Sequence, residues 1–180
     1  MRCTNEEGTF RLTCVDMDID SERLKIAHWV LERNLHWIAA SEVKTGVIVA
    51  IDTAMLGSLA AAYSSVPVAA HTAYAGFFAA VAAVCLGFGV FCAAMVVLPR
   101  VTGPTSSFLF FGCIAKTPAA DFAEAFRNAS HDQLLTDCLA QIHRNAEIAT
   151  AKFQWVRDAM AWSFLAVLPW LAALTVLLWR

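Results

Sequence analysis

Three stretches of this chain, residues 45–64, 72–98 and 159–179, are almost free of charge, and Asp52 is the single formally charged side chain within them. Each has about the 20 residues that a helix needs to cross ~30 Å of hydrocarbon at ~1.5 Å per residue. Helices satisfy their own backbone groups in lipid, so the pattern predicts an all-α integral membrane protein with three transmembrane helices.

The polar stretches between carry a different period. From Ser21, a helix cap with Glu22 in its first turn, no proline interrupts the chain as far as Ser64, and Gly46 and Gly57 are its only glycines. Ile26, Val30, Trp37 and Ile38 recur there at helical spacing, with Leu31 and Leu35 widening the apolar stripe. One long helix is expected, its first part outside the bilayer and its second part the first span. Ser130-His-Asp-Gln133 fits a capping box opening a second long helix. Its stripe is Leu134, Cys138, Ile142, Ala146, Ala149, Phe153 and Val156, and it runs into the third span, where Pro169 should kink it. Thr117 and Pro118 read as the cap and first residue of a short helix to about Asn128. Residues 107–115 are apolar and aromatic, and read as a strand or an extended segment. Residues 1–20 lack helical periodicity and read as an irregular polar arm, leaving 21–180 as one membrane domain.

Small residues stand four apart at Gly46, Ala50, Ala54, Ser58 and Ala62 in the first span, and at Ala79, Ala83 and Gly87 in the second. Such rows let helix backbones approach closely in lipid, either within the chain or between copies in a homo-oligomer.

Charge sets an orientation. Arg2, Arg11, Arg23, Lys25, Arg33 and Lys44 precede the first span, and Arg100, Lys116, Arg127, Arg144, Lys152 and Arg157 lie between the second and third. The link 65–71 holds no Lys or Arg. By the positive-inside rule the N-terminus and the 99–158 segment are cytoplasmic, and three crossings put the C-terminus on the opposite side. Two long helices are then expected to extend into the cytoplasm. The first 20 residues are polar and offer no signal-peptide core. A net charge of −2 with 59% apolar residues argues against a nucleic-acid polymer as partner; the bilayer is the partner.

No phosphate loop, zinc-protease or serine-hydrolase motif is present, so no enzyme is expected. The six cysteines form no C-x-x-C pair. His28, Glu32 and His36 share a helix face at four-residue steps, but a solvated polar face explains them without a metal. Asp52 lies about 12 Å beyond Lys44 along the helix, where an ionisable group costs ~2.5–3.5 kcal/mol, and is either a gate or a carboxyl satisfied within the bundle. Lys44 and Trp37 mark the membrane interface. Arg33, Arg144 and Lys152 can supply cations for one phosphate, and Trp37, Phe110 and Phe111 stacking surfaces for one base. A solvated charged face accounts for the same residues.

Residues 35–57, LHWIAASEVKTGVIVAIDTAMLG, resemble the "W-I-x-x-A-D-x-K-A-x-x-x-L-x-x-D/N-x-x-x-L" opening of the transmembrane effectors of Pycsar antiphage systems. Residues 110–115, FFGCIA, resemble the family's "F-F-G-x-I-A" segment, and 139–142 with 149–153 resemble its "L-x-x-Q-I … A-x-x-K-Y/F" stretch. The likeness covers about residues 22–178, with Glu42 where the family usually shows Asp. It implies a small bacterial inner-membrane effector paired with a pyrimidine cyclase. Cyclic UMP or cyclic CMP made on infection would activate it to impair membrane integrity and abort infection. It also implies that Glu42, Lys44, Phe110, Phe111, Gly112 and Lys152 fall on family motif positions, for binding nucleotide, holding the bundle or coupling the two. Readings outside that implication are a structural or accessory subunit of a membrane complex, and an effector responding to a cyclic oligonucleotide.

Overall fold

The computed structural model describes residues 6–67, 72–99 and 107–179, with side chains from Ser21 onward. Five helices make up the described chain: α1 (Glu6–Ser65), α2 (Ala73–Val97), α3 (Phe111–Ile114), α4 (Ala119–Asn128) and α5 (His131–Leu178). Three of them, α1, α2 and α5, contain windows long and apolar enough to cross a membrane. No strand occurs among the described residues.

The helix boundaries depart from the sequence reading in three places. α1 already begins at Glu6, so residues 6–20 of the expected irregular arm are helical and Ser21 is an interior residue rather than a cap, while residues 1–5 lie outside the described residues. That stretch has no proline and a single glycine, Gly8, so nothing in it blocks a helix that α1 continues. Residues 107–115 are neither strand nor extended segment: a turn leads into the short helix α3. Pro118, not Thr117, occupies the N-cap position of α4, and the Thr117 hydroxyl donates back to the Cys113 carbonyl. The capping box at 130–133 is present as read: Gln133 N donates to Ser130 Oγ at 3.2 Å, and Ser130 N to Gln133 Oε1 at 2.9 Å. α5 runs unbroken from His131 through Pro169 to Leu178.

Packing divides the chain into two units, one of Met1–Trp37 with Arg100–Ile148 and one of Ile38–Pro99 with Ala149–Arg180. In the first unit Ala27 and Leu31 of α1 are buried against Cys138 of α5, with Leu135 and Ile142 packed around them. The apolar face of α1 thus centres on Ala27 and Leu31, while Ile26, Leu35 and Trp37 are exposed. Phe108 meets Phe126 of α4 edge-on at 6.1 Å, and Phe122 lies 5.8 Å from Phe126.

The second unit is a bundle of the three apolar segments. Its core is layered: Ile48, Cys92, Ala93, Val96, Val156 and Ala159 in one cluster; Cys85, Leu86 and Ala166 in another. Leu59, Ala82 and Ala173 form a third, and Ala62, Ala75 and Leu177 a fourth. On α1 the inward seam is Ser41, Thr45, Ile48, Asp52, Met55, Leu59 and Ala62, an alternation of four- and three-residue steps. On α2, Ala75, Ala82, Gly89 and Val96 are buried at seven-residue intervals. This is the heptad period of helices that cross at a shallow left-handed angle. Alanine and glycine in the seam let the backbones approach, and van der Waals contact rather than water exclusion drives association in lipid.

The row Gly46, Ala50, Ala54 and Ser58 faces outward; of that row only Ala62 is buried. On α2, Ala83 and Gly87 are likewise exposed, and Ala79 is half-buried. The reason is geometric: at 100° per residue, four-residue steps advance ~40° each and wind off an interface that a 3.5-residue period follows.

Candidate functional site

Within the second unit, polar groups of α1 are turned into the bundle by the seam itself. The Ser41 hydroxyl donates to the Ile38 carbonyl at 2.6 Å and Thr45 Oγ1 to the Ser41 carbonyl at 2.8 Å, so both hydroxyls are satisfied within their own helix. Glu42 lies one residue off the seam and meets Lys152 of α5: Lys152 Nζ donates to Glu42 Oε1 at 2.5 Å. Lys152 is 5% exposed, which makes this pair the one deeply sheltered cation among the described residues. Lys44 lies over the ring of Phe153, 5.4 Å from its centroid, where the ring's negative face meets the ammonium.

Two turns further along α1, Asp52 is fully buried. Ser163 Oγ of α5 lies 3.0 Å from Asp52 Oδ2 and 2.9 Å from the Ala159 carbonyl. On α2, Gly89 is needed because a Cβ there would come within 2.6 Å of Asp52 Oδ2 and 3.2 Å of Ser163 Oγ. Among the described residues Asp52 Oδ1 has no hydrogen-bond partner. Further on, Trp170 Nε1 donates to the Met55 carbonyl at 3.0 Å and lies 3.2 Å from Ser58 Oγ.

In the first unit the loop before α3 is tied to α5. Asp137 Oδ2 accepts from Phe108 N at 2.7 Å and Leu109 N at 3.2 Å. Ser107 Oγ accepts from Phe110 N at 2.9 Å, from Leu109 N at 3.1 Å and from the buried Gln141 side chain at 3.1 Å. These bonds set the turn that presents Phe110 and Phe111, whose rings lie 4.9 Å apart. Gly112 sits against the Phe110 ring, where a Cβ would approach within 2.6 Å. Asn34 Nδ2 donates to the Ile142 carbonyl at 3.1 Å, tying α1 to α5. Arg33 lies over the Trp37 ring at 5.7 Å. Arg144 Nη1 donates to Glu147 Oε2 at 2.8 Å, and that bond holds the Glu147 carboxyl below the usual carboxylate range.

Of the residues singled out from sequence, the structure joins Glu42 to Lys152, Arg33 to Trp37, and Phe110 to Phe111 and Gly112. Arg33, Trp37, Phe110, Phe111, Gly112 and Arg144 belong to the first unit; Glu42, Lys44, Asp52 and Lys152 belong to the second. Sequence reasoning missed Ser107, Asp137, Gln141, Ser163 and Gly89. A usable signal existed for the polar seam alone, since Ser41, Thr45 and Asp52 fall on one heptad register. Among the described residues no three His, Cys, Asp or Glu side chains converge as a metal site.

No curated protein and no solved structure is similar enough to this chain to count as a match. A family model does match: the one described as the Pycsar effector protein domain covers residues 26–179, taking in the apolar stretches 45–64, 72–98 and 159–179 and the polar segments between them. The chain therefore belongs to the Pycsar effector family, as a transmembrane effector of antiphage defence.

Proposed function

We propose that this effector resides in the bacterial inner membrane, with its N-terminus and the 99–158 segment in the cytoplasm. A cyclic pyrimidine mononucleotide, cyclic UMP or cyclic CMP made by a partner cyclase, activates it to breach the membrane and abort infection. The observation that carries the reading is the family match over 26–179, which includes the polar segment as well as the spans. The positive-inside distribution of Lys and Arg supports the orientation.

The nucleotide is received by the first unit, where Arg33 offers a guanidinium to one phosphate and Trp37, Phe110 and Phe111 offer exposed or half-buried rings to one base. Gly112 leaves room for the Phe110 ring, and Arg144 supplies a second cation once it leaves Glu147. Lys152, in the second unit, is held by Glu42 and takes part only if that pair opens. Glu42, Lys44 and Asp52 lie on the helix that carries Arg33 and Trp37, and act in coupling the signal to the bundle. Silence before infection requires the leaky state to be rare. Moving from about 1:99 to 99:1 takes about 5.5 kcal/mol of preferential binding, less per site if the protein acts as a homo-oligomer.

The test is calorimetric titration of the detergent-solubilised protein with cyclic UMP, cyclic CMP and a panel of cyclic oligonucleotides, paired with dye release from proteoliposomes. Binding and release by one cyclic pyrimidine mononucleotide are expected. No heat and no release with either mononucleotide would refute the reading, and a response to a cyclic oligonucleotide alone would reassign the ligand.

A further inference from the structure

α1 and α5 leave an open groove between them in the transmembrane bundle. Its volume is about 470 Å³, and its walls are Val47, Ile51 and Met55 of α1 with Met160, Phe164 and Val167 of α5. Val47, Ile51 and Phe164 are each more than half exposed, so no other described helix covers them. The two polar groups on the walls, Asp52 and Ser163, bond to each other, and a proton is enough to neutralise the carboxyl. Past its rim the groove therefore offers an occupant hydrocarbon surface. From Lys44 to Met55 the wall runs ~16 Å at ~1.5 Å per residue, close to half of a ~30 Å hydrocarbon core. A lipid chain lying in one leaflet has that reach.

The rim is cationic. Lys44 lines the groove at its end nearer the N-terminus and stands in one stripe with Val47, Ile51 and Met55, at steps of three and four residues. On α5, Arg157 stands in one stripe with Met160, Phe164 and Val167 at the same steps. The two helices run parallel: Glu42 meets Lys152 and Asp52 meets Ser163, at separations of 110 and 111 residues. Arg157 is then level with residues 46–47 of α1, about 4 Å beyond Lys44 along the axis. Lys44 rests on the Phe153 ring, and among the described residues no carboxylate pairs with it. Arg157 touches only its neighbour Asp158, at 3.5 Å and in the open, where such a pair is weak.

We propose that this groove is a binding site for an anionic glycerophospholipid, one acyl chain lying between α1 and α5 and the phosphate headgroup held by Lys44 and Arg157. A second copy of this chain answers the charge less well, because the only acidic residue of its spans is the buried Asp52. Lipid binding is read without nucleotide, so its failure and that of the cyclic-nucleotide reading are separable.

The full chain in dodecyl maltoside is titrated with phosphatidylglycerol or phosphatidylcholine of identical acyl chains, and bound lipid and oligomeric state are counted by native mass spectrometry. Phosphatidylglycerol is expected to bind about tenfold more tightly. Lys44→Gln should cut that preference about fivefold, and Arg157→Gln about twofold because Asp158 stands beside it. The double variant should show no preference. Ile51→Trp, at an exposed position on the groove wall, should weaken both lipids by obstructing the chain. Equal affinity for the two lipids, or a preference that survives in both single variants, would overturn the headgroup assignment. Undiminished binding to Ile51→Trp would remove the lipid from the groove, and a dimer that forms as lipid is lost and is broken by Ile51→Trp would give the groove to a second copy instead.

Discussion

The ion pair between Lys152 and Glu42 has unequally sheltered ends, and that inequality predicts an asymmetric response to mutation. The Lys152 side chain is 6% exposed and the Glu42 side chain 49%. Glu42→Ala leaves an ammonium shielded from water without a counter-charge, and removing one partner of a buried pair costs about 3–5 kcal/mol. The lower end applies here, because a lysine stem can carry its head some way toward solvent. At about 3 kcal/mol, and about 2–4 °C of Tm per kcal/mol for a chain of this size, Glu42→Ala should lower Tm by about 6–12 °C. Lys152→Met keeps most of the aliphatic stem and leaves behind a carboxylate that water still reaches, so its cost should stay below about 1 kcal/mol. The double variant should recover most of the loss, since it no longer strands the ammonium. Thermal unfolding of the four proteins in dodecyl maltoside, followed by tryptophan fluorescence, makes the comparison. If Lys152→Met is as damaging as Glu42→Ala, or the double variant is no better than Glu42→Ala alone, the buried ammonium is not the source of the cost and the reasoning fails.

Two further outcomes follow from the packing. Gly89→Ala puts a methyl 2.6 Å from Asp52 Oδ2 and should destabilise the bundle by about 1–3 kcal/mol, whereas Gly87→Ala, with nothing within 4 Å, should be neutral or stabilise by up to about 1 kcal/mol. Denaturation in mixed micelles reads both, and a harmless Gly89→Ala would contradict the close approach of α2. Burial, and secondarily the Asp137 carboxylate, push the Cys138 thiol up from its ordinary range. The fold therefore favours the neutral thiol: that contribution is present below the ordinary thiol range and lost as pH rises through the higher folded value. In single-cysteine variants, Cys138 should react with maleimide more slowly than the half-buried Cys113 from about pH 7 to 9. Equal rates would show that Cys138 is not sheltered.

The three spans were legible because lipid imposes a length and a polarity on any helix that crosses it, and 45–64, 72–98 and 159–179 satisfy both. Local hydrogen bonding made the Ser130–Gln133 box legible too, since both partners lie within one turn. The turn before α3 was not legible: Phe108 and Leu109 are held by Asp137, 29 and 28 residues away, and nothing local announces that acceptor.

By itself the sequence determined membrane residence, the count of crossings and the family, because these depend on composition along a line and on short ordered motifs. Only the tertiary structure decided which faces meet. It turned the row of small residues at 46–58 outward, gave Lys152 to Glu42, and set Asp52 beside Ser163 and Gly89. Those partners sit on other helices, and their meeting is fixed by how far the helices rotate and how closely their backbones approach, quantities that no spacing within one helix contains.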